Sequence, residues 1–458
     1  MLANAFFLSS QWCQIHPVRQ QVGSYNVLRA LGERFAVQAR GNYFAQHAVI
    51  AVEPLRAWRA NNSKNENSPM TPRLLPWLVL ASSLSALSAQ AKPMTDYDVL
   101  VGSYTAGASE GIYRFGFNTQ TGQLDAKPRQ VIKTENPSWL TLSKDQRHLF
   151  AVNENGPGQT DVVGKVSSYS IDPKTHAVSF LNQVETKGEE PTHSSLSLDG
   201  RFLFVANYAV HPDPGGVLAV VPVGKDGKLA PVAQTATHEA SKVNPERQAS
   251  SHVHAAVPTP DGKYLIAMDL GADKMFVFTY DAKKAQPLQP AKAPSVDLPP
   301  GSGPRHLTFS KDGKHAWLTM EMSAQVAVFD YHDGVFKRTQ LVELANKDGQ
   351  ENRAAGGLHT SPDGKFLYVA NRGSVNELLV FSIDAASGQL KEVQRRAVEG
   401  KEPREFAFDP SGHFMLIANQ KSNQIVTVRV DLKTGLLGDT VQKVDFDSPS
   451  DFHFLTAH

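Results

Sequence analysis

Seven side chains able to move protons, hold charge or coordinate stand at the edges of apolar runs: His193, His252, His254, Arg305, His306, Glu321 and Arg372. Arg is a fixed cation with several donors, and His and Glu can exchange protons near neutral pH. Together they fit chemistry in which water is deprotonated and an oxyanion is stabilised. His252 and His254 lie in His-Val-His, and alternation in an extended chain puts both on one face. That is a possible start for a metal site, but no third and fourth ligand follow at clear spacing, so no metal is assigned. Gly107-Ala-Ser109-Glu-Gly111 has the spacing of a nucleophile elbow. Such an elbow runs into a helix, whereas the next residues, IYRFGF, alternate like a strand, so Ser109 is not assigned as a nucleophile. No phosphate-binding G-x-x-x-x-G-K-[ST] loop is present. Cys13 is the single cysteine, which excludes a disulfide framework, a cysteine zinc site and a thiol nucleophile from the rest of the chain.

The elements that must position these residues repeat. An acidic or polar turn followed by a strand recurs as SKDQRHLFAVNE (143–154), SLDGRFLFVANY (197–208), TPDGKYLIAMDL (259–270), SKDGKHAWLTME (310–321), SPDGKFLYVANR (361–372) and DPSGHFMLIANQ (409–420). Steps of 54, 62, 51, 51 and 48 residues separate the turn residues Asp145, Asp199, Asp261, Asp312, Asp363 and Ser411. Asp-Gly supplies the left-handed backbone of a tight turn, and runs of Val, Ile, Phe and Tyr form strands. A second alternating strand follows most copies, as in KMFVFTYD and ELLVFSID, and often a Gly-x-Leu turn after it. A fifty-residue period with four strand-like segments predicts a β-propeller blade. Six full copies and the strands of 99–124 give seven four-stranded antiparallel blades. The terminal strand DFHFL (451–455) is expected to pair with the N-terminal strands and close the ring. No helical period accompanies the strands, which disfavours a βα barrel.

Residues 71–91, TPRLLPWLVLASSLSALSAQA, read as a secretory signal beginning at Met70: one Arg, an apolar run from Leu74 to Leu87, and Ala89-Gln-Ala91 for cleavage. The run is too short for a bilayer-spanning anchor. Residues 1–69 are read as an upstream stretch that is either not translated or disordered, and the propeller as residues 92–458. The expected location is periplasmic or secreted, with no membrane attachment after cleavage. Net charge is +1 from 46 basic and 45 acidic residues, which gives no nucleic-acid footprint. No cofactor is indicated, and no oligomeric state is assigned.

The phrases GSYT…EGIY, PTHSSLSLDGRFLFVANY, HVH…PDGKYL, GPRHLTFSKDGK, SPDGKFLYVANR and PREFAFDPSGHFMLIANQ, in this order and spacing, resemble the seven-bladed propeller lactonase family. That family includes propeller-type 6-phosphogluconolactonases and carboxymuconate cyclases. The likeness covers nearly all of residues 97–455. It implies hydrolysis of a small-molecule sugar lactone by a cluster around a central channel. By position the cluster falls on His254, Arg305, Glu321 and Arg372 as catalytic residues, with His193, His252 and His306 nearby at the substrate. Glu405 stands where a neutral polar residue is frequent in the family, and Gly357 where an acid is. The closing strand lacks a frequent cysteine.

Under this resemblance Glu321 or His254 is the base, and Arg305 and Arg372 bind the carbonyl and any anionic tail. Each residue also has a structural reading: Arg305 as a rim ion-pair partner, Glu321 as a turn cap, Arg372 as a loop organiser, and His193 and His306 as core groups. The competing functions are a non-catalytic binding propeller and a lactone-forming cyclase. An exported enzyme would meet unphosphorylated aldonolactones rather than sugar phosphates.

Overall fold

The computed structural model describes residues 96–156, 159, 161–209, 216–345 and 354–456. The expectations for residues 1–69, the leader at 70–91 and Cys13 lie outside these residues. The described chain forms seven antiparallel sheets. Their first strands are Leu140–Leu142, Glu189–Leu196, Val253–Pro258, Pro304–Phe309, Ala355–Thr360, Pro403–Phe408 and Pro449–Leu455. Each touches the next, and the last touches the first, so they line the axis of a closed ring. Pro449–Leu455 pairs antiparallel with Asp96–Ser103 and supplies the innermost strand of a sheet whose other strands lie at the start of the described chain. The ring is therefore a seven-bladed propeller closed by its C-terminal strand, with no inner edge left open. Two short segments, Gln123–Leu124 and Gln130–Lys133, share the outer position of that first blade. Among the described residues the single helix is a 3-10 turn at Gln420–Ser422.

The repeated turn works through its side chains as well as its glycine. Ser197 Oγ donates to Asp199 Oδ1 (2.6 Å), and Gly200 takes φ 68°. Thr259 with Asp261, Ser310 with Asp312 and Ser361 with Asp363 repeat this pairing. In the blade at 409–412 the partners trade places, with Ser411 Oγ donating to Asp409. In the first copy Gln146 stands in place of glycine, at φ 52°. Its side chain accepts from Thr456 N (2.8 Å) and donates to Phe454 O (3.4 Å), which anchors the closing strand.

The Gly-x-Leu turn has a role between blades. Gly388 lies against the ring of His315 in the preceding blade, where a Cβ would come within 2.6 Å, and Trp317 Nε1 donates to its carbonyl (2.9 Å). Two residues on, the amide side chain of Gln340 brackets Leu390, accepting from its N–H (2.7 Å) and donating to its C=O (2.9 Å). Gln394 does the same to Leu437, and Gln442 to Leu124 across the ring closure. The apolar core is divided likewise into seven clusters, one between each pair of adjacent sheets. Each fully buried Leu, Val or Phe in them contributes about 1.5–3 kcal/mol, so stability resides in the wedges rather than at the axis.

Candidate active site

Six of the seven axial strands share one irregularity, and it delivers most of the polar side chains. Pro304 pairs with Met320, Pro403 with Asn419, Val253 with Asp269, Pro191 with Asn207, Ala355 with Asn371 and Pro449 with Ser103. Immediately after each pair the register slips by a β-bulge, which bends a strand and re-aims a side chain. The residues at the slip are Arg305, Arg404, His254, Thr192, Gly356 and Ser450. Five of these, all but Gly356, line one axial cavity together with Ser138. A second set comes from the ends of second strands: Glu154, Glu321 and Arg372 directly follow theirs, and Tyr208 is the last residue but one of Phe202–Ala209.

At one mouth of the channel these sets meet around Glu321. Its Oε2 accepts from Arg305 Nε (3.1 Å) and Arg372 Nη2 (2.9 Å), and its Oε1 from Arg247 Nη2 (2.8 Å). Arg305 is 1% exposed, whereas the Arg247 side chain is 44% exposed. Arg372 also reaches Glu402 (3.2 Å), and Arg247 reaches the Tyr208 hydroxyl (2.9 Å). Burial alone would raise the Glu321 carboxyl. Arg372 and Arg305 outweigh it, with His254 and Arg247 assisting, and hold it well below the usual carboxylate range. Burial, with Arg372 adding to it, pushes the Arg305 guanidinium down to about 9 against the pull of Glu321, so it stays a cation at neutral pH.

Beneath this cluster is a stack of neutral imidazoles. His254 and His306 have ring centroids 5.0 Å apart, His306 and His193 are 5.7 Å apart, and Trp139 packs on His193 at 4.4 Å. Burial lowers all three histidines, and Arg305 adds to it: His254 and His306 go well below the ordinary value, and His193 goes to about 3. His254 Nδ1 is buried and has no hydrogen-bond partner within the protein. His252 lies before the strand, with its ring stacked on Tyr208 (4.6 Å) and Nδ1 against the Tyr208 carbonyl. His254 also reaches Tyr208, edge-on at 5.9 Å. The two imidazoles are neighbours through that tyrosine, while the bulge interrupts the alternation expected from His-Val-His. Among the described residues no three His, Cys, Asp or Glu converge as a metal site.

The structure thus brings His254, Arg305, Glu321 and Arg372 to one place, with His193 and His306 behind them and His252 at the mouth. Sequence reasoning missed Arg247, Tyr208, Arg404, Glu154 and Trp139. Arg404 reaches Glu154 (3.3 Å), which also accepts from the Tyr104 hydroxyl (2.8 Å). Arg404 occupies the same bulge position as Arg305, and Glu154 and Tyr208 the same strand end as Glu321, so aligning the repeats on each other would have found these three. Arg247 lies in an inter-blade segment outside the repeated phrases, so that comparison does not reach it. Ser109 is followed by the strand Gly111–Asn118, and its hydroxyl bonds with that of Ser103, as expected for a structural serine. Glu405 and Gly357 belong together: a Cβ on Gly357 would fall 2.3 Å from the Glu405 carboxylate. The Glu405 carboxylate fills the space over the equivalent position of the neighbouring blade.

Residues 98–454 match the family described as Lactonase, 7-bladed beta-propeller. The chain is 35% identical over 346 residues to a 6-phosphogluconolactonase of Bacillus subtilis, covering 75% of this chain and 94% of the relative. A periplasmic gluconolactonase of Pseudomonas aeruginosa has a solved structure that superposes with TM-score 0.77 at 51% identity, covering 80% of this chain and 100% of that one. A putative 6-phosphogluconolactonase of Bacteroides fragilis superposes with TM-score 0.72 at 33% identity, covering 80% and 99%. The chain belongs to the seven-bladed β-propeller lactonase family.

Proposed function

We propose that the chain hydrolyses an unphosphorylated aldonolactone of the gluconolactone type, with His254 as the general base. The observation that carries this reading is the buried His254 imidazole: it stays neutral next to Arg305, and one of its ring nitrogens has no partner in the protein. A neutral imidazole accepts a proton from water, and a desolvated guanidinium stabilises the oxyanion of the tetrahedral intermediate. Glu321 is the weaker base of the two because three guanidinium groups bind its carboxylate; its role is to hold Arg305 and Arg372 in place. Arg305 and Arg372 receive the carbonyl oxygen. His306, His193 and His252 form the wall against which the sugar ring lies.

The substrate preference follows from charge. Each of the cations Arg247, Arg372 and Arg404 is matched by a carboxylate: Glu321, Glu321 with Glu402, and Glu154 respectively. A phosphate dianion would have to displace one of them, whereas a neutral polyol ring would not. The named periplasmic gluconolactonase, at 51% identity, supports the same choice and an exported location. We assign residues 70–91 as the secretion signal on sequence grounds. No helix among the described residues is long and apolar enough to cross a membrane.

The test follows acid release from glucono-1,5-lactone and from its 6-phosphate with the purified protein, against the spontaneous rate. The expected result is acceleration of both, with kcat/KM higher for the unphosphorylated lactone. His254→Gln should lose about 10²–10⁴-fold in kcat. Full activity in Arg305→Ala, or no acceleration by the intact protein, would overturn the reading.

A further inference from the structure

Beyond the bulges the axial strands run on and carry further polar groups, Glu405 and His359 among them. The axial cavity, about 10 Å3, has room for about one water molecule. Three buried polar atoms with no hydrogen-bond partner in the protein belong to residues lining this one cavity: His254 Nδ1, Ser450 Oγ and Glu405 Oε2. Orphaned buried polar atoms are rare, and three around a single water-sized space mark a site for a water with three partners. Glu405 is 2% exposed, and its other oxygen, Oε1, accepts from His359 Nε2 at 2.7 Å. His359 stands three residues along the axial strand from Gly356, about 10 Å further down the channel at the rise of an extended strand. Its side chain is 43% exposed. His453 lies 3.5 Å from Asp451 within the closing strand Pro449–Leu455, and Phe406 packs edge-on against His359 at 5.1 Å.

We propose that Glu405 and His359 form a proton exit, carrying the proton of each turnover from His254, through a water in the axial cavity, to solvent on the face opposite the substrate. The inference rests on the lactonase reading. Hydrolysis forms a bond between the water oxygen and the carbonyl carbon and breaks the ring C–O bond. One proton of that water ends on the ring oxygen, and the other is lost when the product acid ionises. With substrate over the open mouth, that last proton has a second route. It passes from the product carboxyl to His254, which has by then given its first proton to the ring oxygen, then to the cavity water and onto Glu405 Oε2, and one leaves from the exposed His359 imidazole to solvent. One proton enters the pair and one leaves, so its charge is unchanged at the end of the cycle. Burial disfavours the protonated form of His359, but the charge and hydrogen bond of Glu405 outweigh it and raise the imidazole. Glu405 and His359 are positioning residues: neither touches the lactone.

The experiment measures kcat and KM of the full chain with gluconolactone in weak buffer, for wild type, His359→Ala and Glu405→Gln, with and without added imidazole. For His359→Ala the expected result is kcat reduced about tenfold, KM within about twofold, and kcat restored by millimolar imidazole. For Glu405→Gln the expected loss is the same, but imidazole, which cannot enter a one-water cavity, does not restore it. His359→Gln serves as a second exposed-site variant and should behave like His359→Ala. Unchanged kcat in both His359 variants, or a loss in both that imidazole does not relieve, overturns the exit. Inactive wild-type protein overturns the lactonase reading instead, so the two failures are distinct.

Discussion

Replacing Glu321 with Gln separates the two candidate bases, and the structure sets the size of the effect. The carboxylate is shared by three guanidinium groups, but they do not depend on it equally. Arg247 is nearly half exposed and keeps the Tyr208 hydroxyl; an exposed ion pair is worth about 0–1 kcal/mol. Arg372 keeps Glu402. Arg305 is 1% exposed, and its remaining polar neighbour is the His306 ring at 3.4 Å. The variant therefore strands one buried cation. Removing one partner of a buried pair costs about 3–5 kcal/mol, and the Gln carbonyl can still accept one bond, so about 3 kcal/mol is expected. The readout is the shift in urea unfolding midpoint at constant slope. For catalysis, Arg305 loses its tether rather than its charge, and a displacement of about 1 Å costs about 10²-fold in kcat.

The pH profile of the same variant identifies the base. Burial and Arg305 lower the His254 imidazole while Glu321 raises it, so deleting the carboxylate lowers it further. If His254 is the base, Glu321→Gln keeps a measurable rate and its acid limb moves to lower pH. Activity at background together with loss of the acid limb would place the base on Glu321 and refute the assignment.

Three further outcomes follow. In wild type the acid limb of kcat/KM should lie well below pH 6.5, because burial and then Arg305 depress His254; Arg404→Gln, which removes another depressing cation, should move the limb upward. The fold should be acid-labile: His193, His254 and His306 are held neutral in the folded state, to about 3 for His193, while the unfolded chain protonates them below about 6.5. These three should therefore make stability fall below pH 6.5 by up to about 1.4 kcal/mol per pH unit per histidine, checked by urea midpoints from pH 7 to 4.5. Gln442→Glu removes the donor to Leu124 O at the ring closure and should cost about 1–3 kcal/mol, whereas the same change at a solvent-facing glutamine should be neutral.

The fold was legible because its determinants are local and repeated. The Asp-Gly turns, the alternating strands and the lone terminal strand each specify one step of a blade, and the blade count follows from them. The amide brackets escaped notice because a glutamine in an outer strand has no local signature. Its partner lies 43 residues away for Gln394 and 318 for Gln442. The site was legible only in part for a related reason. Arg305, Glu321 and Arg372 stand out against the family, but the third guanidinium on Glu321 is Arg247, which comes from an inter-blade segment with no repeat phase.

The division between wedge and axis explains why such a site can persist. A buried cluster of Arg305, Arg372 and Glu321 contributes little net stability, since desolvation offsets most of the attraction. The atoms of His254, Glu405 and Ser450 that lack a hydrogen-bond partner in the protein depend on a water for one. The seven apolar wedges and their interblade brackets supply the stability and do not include these residues. Bulges at the head of the axial strands then aim whatever side chain stands there into the channel without disturbing the sheet behind it. Gly357 and Glu405 show the consequence. Two equivalent positions on neighbouring blades supply one carboxylate to the same space, so the chemistry of the axis is set by which blade provides each group rather than by the blade's own fold.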